Sequence, residues 1–360
     1  MNHIYMPPPS SIDQTVFESL FHNPKLPQAH FTAFVRFYRN SLAPAGPLSN
    51  TSAHSLASPS AIIQAVETLK CKCHITKDTL MEQLFPHMTR SEQGRSLRTL
   101  IQITFMLDTA SSEIYSDACP LHYGEAFPVI WDDSQSLADF IQSTLSPSTY
   151  QITESHNKLK AWKLKHRHGI QIVPTNDLIQ HLLYDSRTQT LTVFHQVAWL
   201  KAQLRHAAKF SDTGTTQEFL ARGVLPPQIL RETLYSIYRI LFPLDEKSAK
   251  FARRLVAEHN GTYNGSLDDS LLSDPGEIHD IAKPFEFAFW GKRLKRLEDI
   301  VAHPPPTNAL ISWFERHTSE RNALSVAIVG VFFAAFFGLL GVLVSAAQLV
   351  VSYYAWKYPA

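Results

Sequence analysis

Cys71, Cys73 and His74 in the run LKCKCHITK, with Cys119 and His122 further on, are the residues whose types best suit a chemical task, because zinc takes four ligands from thiolates and imidazoles. Their spacing argues against it. A Cys-x-Cys-His run lacks the two-residue gap of a zinc knuckle, and scattered cysteines behave as small apolar core residues. Asp132 and Asp133 form the other compact acidic pair, but with Trp131 they precede an apolar helical pattern and read as helix caps rather than as a general acid and base. Asp268 and Asp269 lie in a loop with no partner evident from the sequence. No glycine-rich phosphate loop, HExxH, GxSxG or CxxC motif occurs, so neither a catalytic set, a cofactor nor a metal is expected.

Two basic runs remain. NKLKAWKLKHRHG carries Lys158, Lys160, Lys163, Lys165 and Arg167 on one side of a helix, with Leu159, Trp162 and His166 on another and Gly169 as its stop. A formal net charge of +1 and the lack of any nucleic-acid module argue against nucleic acid as a partner. GKRLKR places Lys292, Arg293, Lys295 and Arg296 off an apolar stripe of Phe287, Trp290, Leu294, Leu297 and Val301. Such a face is either simply solvated or contacts anionic lipid headgroups, at about 1 kcal/mol for each basic residue.

The lipid reading gains from the C-terminal segment. From Asn322 to Trp356, about 35 residues, there is no Asp, Glu, Lys or Arg. A span needs about 20 apolar residues, which 324–349 supplies, and the run is too short for two spans with a turn. Trp313 on one side and Tyr353, Tyr354, Trp356 and Tyr358 on the other suit the headgroup layers. Arg316 and Arg321, with the basic run at 292–296, precede the span and Lys357 alone follows it, so the body is expected on the cytosolic side. A span this close to the end of the chain implies insertion after synthesis, in the manner of a tail anchor. Gly330, Ala334 and Gly338 recur every four residues, and Gly341 with Ser345 repeats the interval, so close backbone packing predicts a homodimer.

The elements behind these residues read as mainly α with a small β part, an α+β body followed by one transmembrane helix. Expected helices are one opened by Ser11 and Gln14, one after Ser58 and Pro59, then 97–107, 136–145, 177–184, 197–206, 227–241 and, capped by Asp245, 246–259. Short strands are expected at 170–173 and 190–195. By domain, 1–40 is a small helical piece and 41–60 a Ser/Ala/Pro-rich linker or loop. A mainly helical body follows at 61–302, then a juxtamembrane segment at 303–323, the span at 324–349 and an aromatic tail at 350–360. Three cysteines fit a reducing compartment, and MNHIYMPPPSS has neither part of a secretory leader.

The segments TNDLIQHLLYD, TLTVFHQVAWLKAQL, ILFPLDEKS, FWGKRL and ERHTSERNALSVAIVGVFFAAFFGLL, followed by AWKYP, resemble a family of uncharacterised membrane-anchored proteins from filamentous fungi. The resemblance covers roughly residues 155–360, and the first third loosely. It implies the C-terminal anchor and no activity, cofactor or site residue. Two functions are consistent with all of this: a non-catalytic membrane-anchored adaptor or scaffold that brings a cytosolic protein to the bilayer, and a membrane-tethered enzyme whose site is assembled from residues distant in sequence. A channel or transporter is disfavoured by a single span free of charge.

Overall fold

The computed structural model describes residues 12–22, 27–42, 56, 58–109, 130–145, 147, 150–151, 155–186, 188–210, 212–260, 267–273, 285–302 and 323–357. Helix α1 (Gln14–Phe21) opens on Asp13, whose carboxylate accepts the Thr15 N–H at 2.9 Å, so the cap falls on Asp13 rather than at the expected Ser11. Together with a 3₁₀ turn (Gln28–Phe31) and α2 (Thr32–Leu42) it supplies Phe17, Phe21, Phe31 and Phe34, whose neighbouring ring centroids lie 4.5 to 5.3 Å apart inside the main core. Among the described residues, α1 and α2 thus share a core with later helices. Their aromatic side chains are buried only because α1 lies against α3 (Pro59–Cys71) and α2 against the helix at 90–105.

Helix α3 begins as expected, with Ser58 capping and Pro59 in the first turn. Two helices follow, α4 (Lys77–Leu84) and α5 (Arg90–Phe105), the latter opened by a Thr89–Glu92 capping box. Ser136 caps α6 (Leu137–Thr144). Asp132 and Asp133 therefore do not cap it: Asp132 accepts the Ser134 N–H, and Asp133 pairs with Lys77 at 2.7 Å and Arg90 at 2.9 Å. After β1 (Tyr150–Gln151) comes α7 (Ala161–His168), stopped by Gly169 at φ 70°.

A three-stranded sheet of order β2–β4–β3 follows, from β2 (Gln171–Thr175), β3 (Tyr184–Asp185) and β4 (Thr190–Phe194). β2 and β4 are parallel, with Thr175 opposite Phe194, and β3 is antiparallel to β4. Pro174 is tolerated because β2 is an edge strand and needs no donor on its outer side. The expected helix at 177–184 is instead a 3₁₀ turn, Leu178–Gln180, followed by β3. The backbone of 182–183 is claimed by β4: Leu182 N donates to Thr192 O and Thr192 N to Leu183 O, each at 2.9 Å.

The remaining helices are α8 (Val197–Ala207), α9 (Thr216–Ala221), α10 (Pro227–Tyr235), continuing as a π turn through Leu241, and α11 (Glu246–Asn260), capped by Asp245. β5 (Glu286–Phe287) pairs antiparallel with β1, and α12 (Gly291–Ala302) closes the first compact unit, which ends at Val301. The second unit contains α13 (Ala323–Lys357), 35 residues and about 52 Å of helix at 1.5 Å per residue. The chain is thus mainly α with small sheets and one long apolar helix, an α+β fold.

Candidate functional site

In α13, the stretch Gly330–Tyr353 is 24 residues long with mean hydropathy 2.2. It is long and apolar enough to cross a membrane, about 36 Å against a hydrocarbon core of about 30 Å. Gly330, Ala334, Gly338, Gly341 and Ser345 all lie in it, exposed, and a Cβ added at any of the three glycines would meet no heavy atom within 4 Å. Tyr353 lies in its last turns with Lys357 above the ring, Tyr354 and Trp356 belong to the same helix, and Trp313, Tyr358 and the juxtamembrane segment 303–322 lie outside the described residues.

The basic run in α12 is not one surface. Lys292 and Lys295 are exposed, Lys295 pairing with Asp299 at 3.0 Å, and Arg296 is half-buried. Arg293 turns inward: its Nη1 donates to the carbonyls of Ile179 and His181, both at 2.6 Å, and its guanidinium lies 5.1 Å from the Trp290 ring. Arg293 is thereby removed from the possible headgroup contacts. The carbonyls it takes are among those left without helical partners when 177–184 folded as a turn.

The α7 run is likewise occupied by its neighbours. Lys160 pairs with Asp245 at 2.9 Å, Lys163 donates to Asn157, and Lys163, Arg167 and Lys247 surround the Trp162 ring. Cys71 is exposed, while Cys73 is buried with its thiol directed to Gln217 O at 3.7 Å. Cys119 and His122 lie outside the described residues, among which no three His, Cys, Asp or Glu side chains are placed to hold a metal ion.

Titratable groups do converge in two places that the sequence did not mark. The first is sealed in the core between α10 and α12. Glu232 accepts the N–H groups of Ala288, Phe289 and Trp290, just before α12, at 2.6, 2.8 and 3.0 Å, while burial pushes its carboxyl above the usual range. His181 Nδ1 accepts the Phe194 N–H, which leaves Nε2 to donate to Ser236 Oγ at 2.7 Å, and Ser236 in turn donates to Thr233 O. An imidazole that donates to the serine cannot take its proton, so this pair is a structural link and not an activated nucleophile.

The second lies at the carboxyl ends of the parallel strands β2 and β4, where a cleft opens against α2. The larger lobe, about 330 Å³ and called outer here, is lined by Arg36, Asn40, His195 and His259, and the smaller, about 170 Å³ and called inner, by Asp108, Thr175, Asp177 and Gln180, with Phe37 and Asn176 common to both. The strand register positions these groups, since β2 ends in Thr175-Asn176-Asp177 beside β4 ending in Phe194-His195, with His195 N donating to Thr175 O. Asp177 Oδ1 accepts the N–H groups of Asp108 and Ile179 at 3.1 and 3.0 Å, whereas its Oδ2 is buried without a hydrogen-bond partner.

Burial, helped by the neighbouring Asp108 charge, pushes Asp177 up to about 7. Asp108 itself is held bidentately by Arg98 at 2.7 and 2.8 Å. His195 Nδ1 accepts the Asp268 N–H, and burial, reinforced by His259, brings the ring down to about 4. Asp268, with no partner evident in the sequence, accepts the Ala198 N–H at 2.6 Å and so caps α8 from 70 residues away. The signal that marks the cleft is positional: polar residues directly after two apolar strands, once those strands are known to be parallel. No family model, curated protein or solved structure matches the chain.

Proposed function

We propose that the chain is a single-pass membrane protein whose body, within residues 1–302, faces the cytosol and works as a non-catalytic adaptor or scaffold that holds a cytosolic protein at the bilayer. The observation that carries this is the uncharged, apolar stretch Gly330–Tyr353. The orientation is supported by the excess of Lys and Arg before the span, now counted without the inward-turned Arg293. Lys292, Lys295 and Arg296 suit anionic headgroups, and the small-residue faces of α13 suit contact between two copies. The non-catalytic part rests on the wiring of Ser236 and His181, the described Ser–His contact, as donor chains rather than as a nucleophile and base.

A second reading, a membrane-tethered enzyme, is favoured by Asp177, since a carboxyl near 7 lining a cleft has the proton affinity of a general acid or base. A turnover that fell with Asp177→Asn and not with Ser236→Ala would move the conclusion to that reading.

Alkaline extraction of the full chain and of a chain ending at Arg321 tests the anchor, and glycosidase treatment reads the sequons at Asn50, Asn260 and Asn264. The expected outcome is full-length protein in the membrane pellet, a soluble truncation and no mobility shift. Full-length protein in the supernatant overturns the anchor; a glycosidase-sensitive shift overturns the cytosolic orientation.

A further inference from the structure

In the inner lobe of the β2/β4 cleft the Asp177 carboxyl is engaged by backbone N–H groups, and the Gln180 side chain lowers its proton affinity, yet one of its two oxygens has no hydrogen-bond partner. Asp177 is 8% exposed, its Oδ1 is engaged by two backbone N–H groups, and Oδ2 has no hydrogen-bond partner. The groups around it are already committed to one another. Thr175 Oγ1 donates to Gln180 Oε1 and accepts the Asp177 N–H, while Asn176 Oδ1 accepts from Gln196. Both oxygens of Asp108 are engaged by Arg98. Among the described residues lining this lobe none is Lys, Arg or His, and Phe37 with Leu107 supplies its apolar part.

A buried carboxyl oxygen without a hydrogen-bond partner, in a lobe that Phe37 helps to line, asks for a cation that brings N–H donors. We infer that the inner lobe binds the ammonium group of a small primary amine, with Asp177 Oδ2 as its counter-ion and Phe37 as its apolar wall. The alternatives fit less well. An anion would meet two carboxylates, and calcium or magnesium needs several hard oxygens where one unengaged carboxylate oxygen is on offer. At about 170 Å³ the lobe has room for about five water-sized groups, enough for an aminoethyl fragment, with the remainder of the ligand passing toward Arg36, Asn40, His195 and His259 in the outer lobe. The elevated proton affinity of Asp177 agrees: burial disfavours its charged form, and a bound ammonium offsets that cost. Of the charged groups around Asp177, Asp108 raises its proton affinity further and is itself paired with Arg98.

A free amine and the ethanolamine headgroup of a lipid carry this same ammonium chemistry. The test is calorimetric titration of ethanolamine into the full chain held in phosphatidylcholine nanodiscs, at pH 8 and pH 6, with N-acetylethanolamine as the neutral control. An ammonium site governed by a carboxyl near 7 binds ethanolamine about tenfold more tightly at pH 8 than at pH 6, and does not bind the acetylated compound. Asp177→Asn, which keeps the Oδ1 acceptor and removes the charge, lowers the affinity by about tenfold or more. Equal affinity at the two pH values, equal binding of N-acetylethanolamine, displacement by millimolar calcium chloride, or no ethanolamine binding at all overturns the inference. If the variant fails to fold, the pH ratio of the natural chain decides alone. Repeating the titration in discs containing phosphatidylethanolamine separates the sources: weakened binding of ethanolamine there assigns the headgroup as a competitor, and unchanged binding assigns the free amine. The inference is independent of the adaptor reading, because extraction tests the anchor and titration tests the lobe.

Discussion

His22 ends α1 in the left-handed region, at φ 52°, and its ring stacks on His206 with centroids 4.3 Å apart and planes 11° from parallel. Stacking of this kind holds only while both rings are neutral. Burial first, then the charges of Lys70 and the neighbouring His206, bring His22 down to about 4, with Glu67 pulling the other way and Lys209 adding a little. The unfolded chain has an ordinary imidazole near 6.5, so between pH 6.5 and 4 it binds more protons than the folded chain, and stability contributed by this residue is complete above 6.5 and lost as the pH falls toward 4. His22→Gln removes the titration while keeping a planar polar group. The expected result in urea denaturation is that the natural chain loses midpoint relative to the variant as the pH is lowered from 7 to 4.5, with a constant difference above 7. A difference that does not change with pH would mean that His22 is charged or solvated in the folded state. None of this is legible in the sequence, because the ring's partners are Lys70 and His206, and the same holds for Asp177, whose Oδ1 reaches Asp108 N from 69 residues away.

Helices whose apolar stripe is packed by their own neighbours were legible to within a residue or two. Expected 197–206 and 227–241 correspond to α8 and to α10 with its π turn, and expected 246–259 to α11. The run DLIQHLLYD has a helical stripe too, and it fails as a helix because distant groups outbid the local ladder: β4 takes the backbone of Leu182 and Leu183, and Arg293 takes the carbonyls of Ile179 and His181. That capture also explains why Arg293 was misassigned to the surface from its position off the stripe. In α13 no such competition arises, and the element is carried by composition alone. Its glycines are exposed and meet nothing where a Cβ would stand. If two copies pack through Gly330, Ala334 and Gly338, an isoleucine at the middle of that face separates the backbones and forfeits the close contact. Gly338→Ile should therefore shift the full chain toward monomer in detergent cross-linking, while Leu343→Ala, on the opposite side of the helix, should not. An unchanged dimer fraction in Gly338→Ile places any self-association elsewhere.

At the scale of the molecule, the chain divides into two compact units, Met1–Val301 and Ala302–Ala360, and what holds each together is different. The first has a core in which Trp199, Trp290, Phe105, Phe140 and Phe194 are almost fully buried, and helix starts in it are capped from within the same unit, by Asp13, Ser58, Ser136 and Asp268 among others. Among the described residues, the caps and core side chains named here all come from before residue 302. A chain ending at Arg321 is expected to unfold in a single cooperative transition, with a melting temperature within about 3 °C of the full chain in detergent, the shift that about 1 kcal/mol produces in a chain of this size. Two transitions, or a fall much larger than that, would mean that the body draws stability from the C-terminal segment, and the truncation could then no longer separate anchoring from folding. A single unshifted transition instead makes the soluble body a faithful carrier of the amine lobe, so that loss of membrane binding in the truncated chain reports the anchor alone.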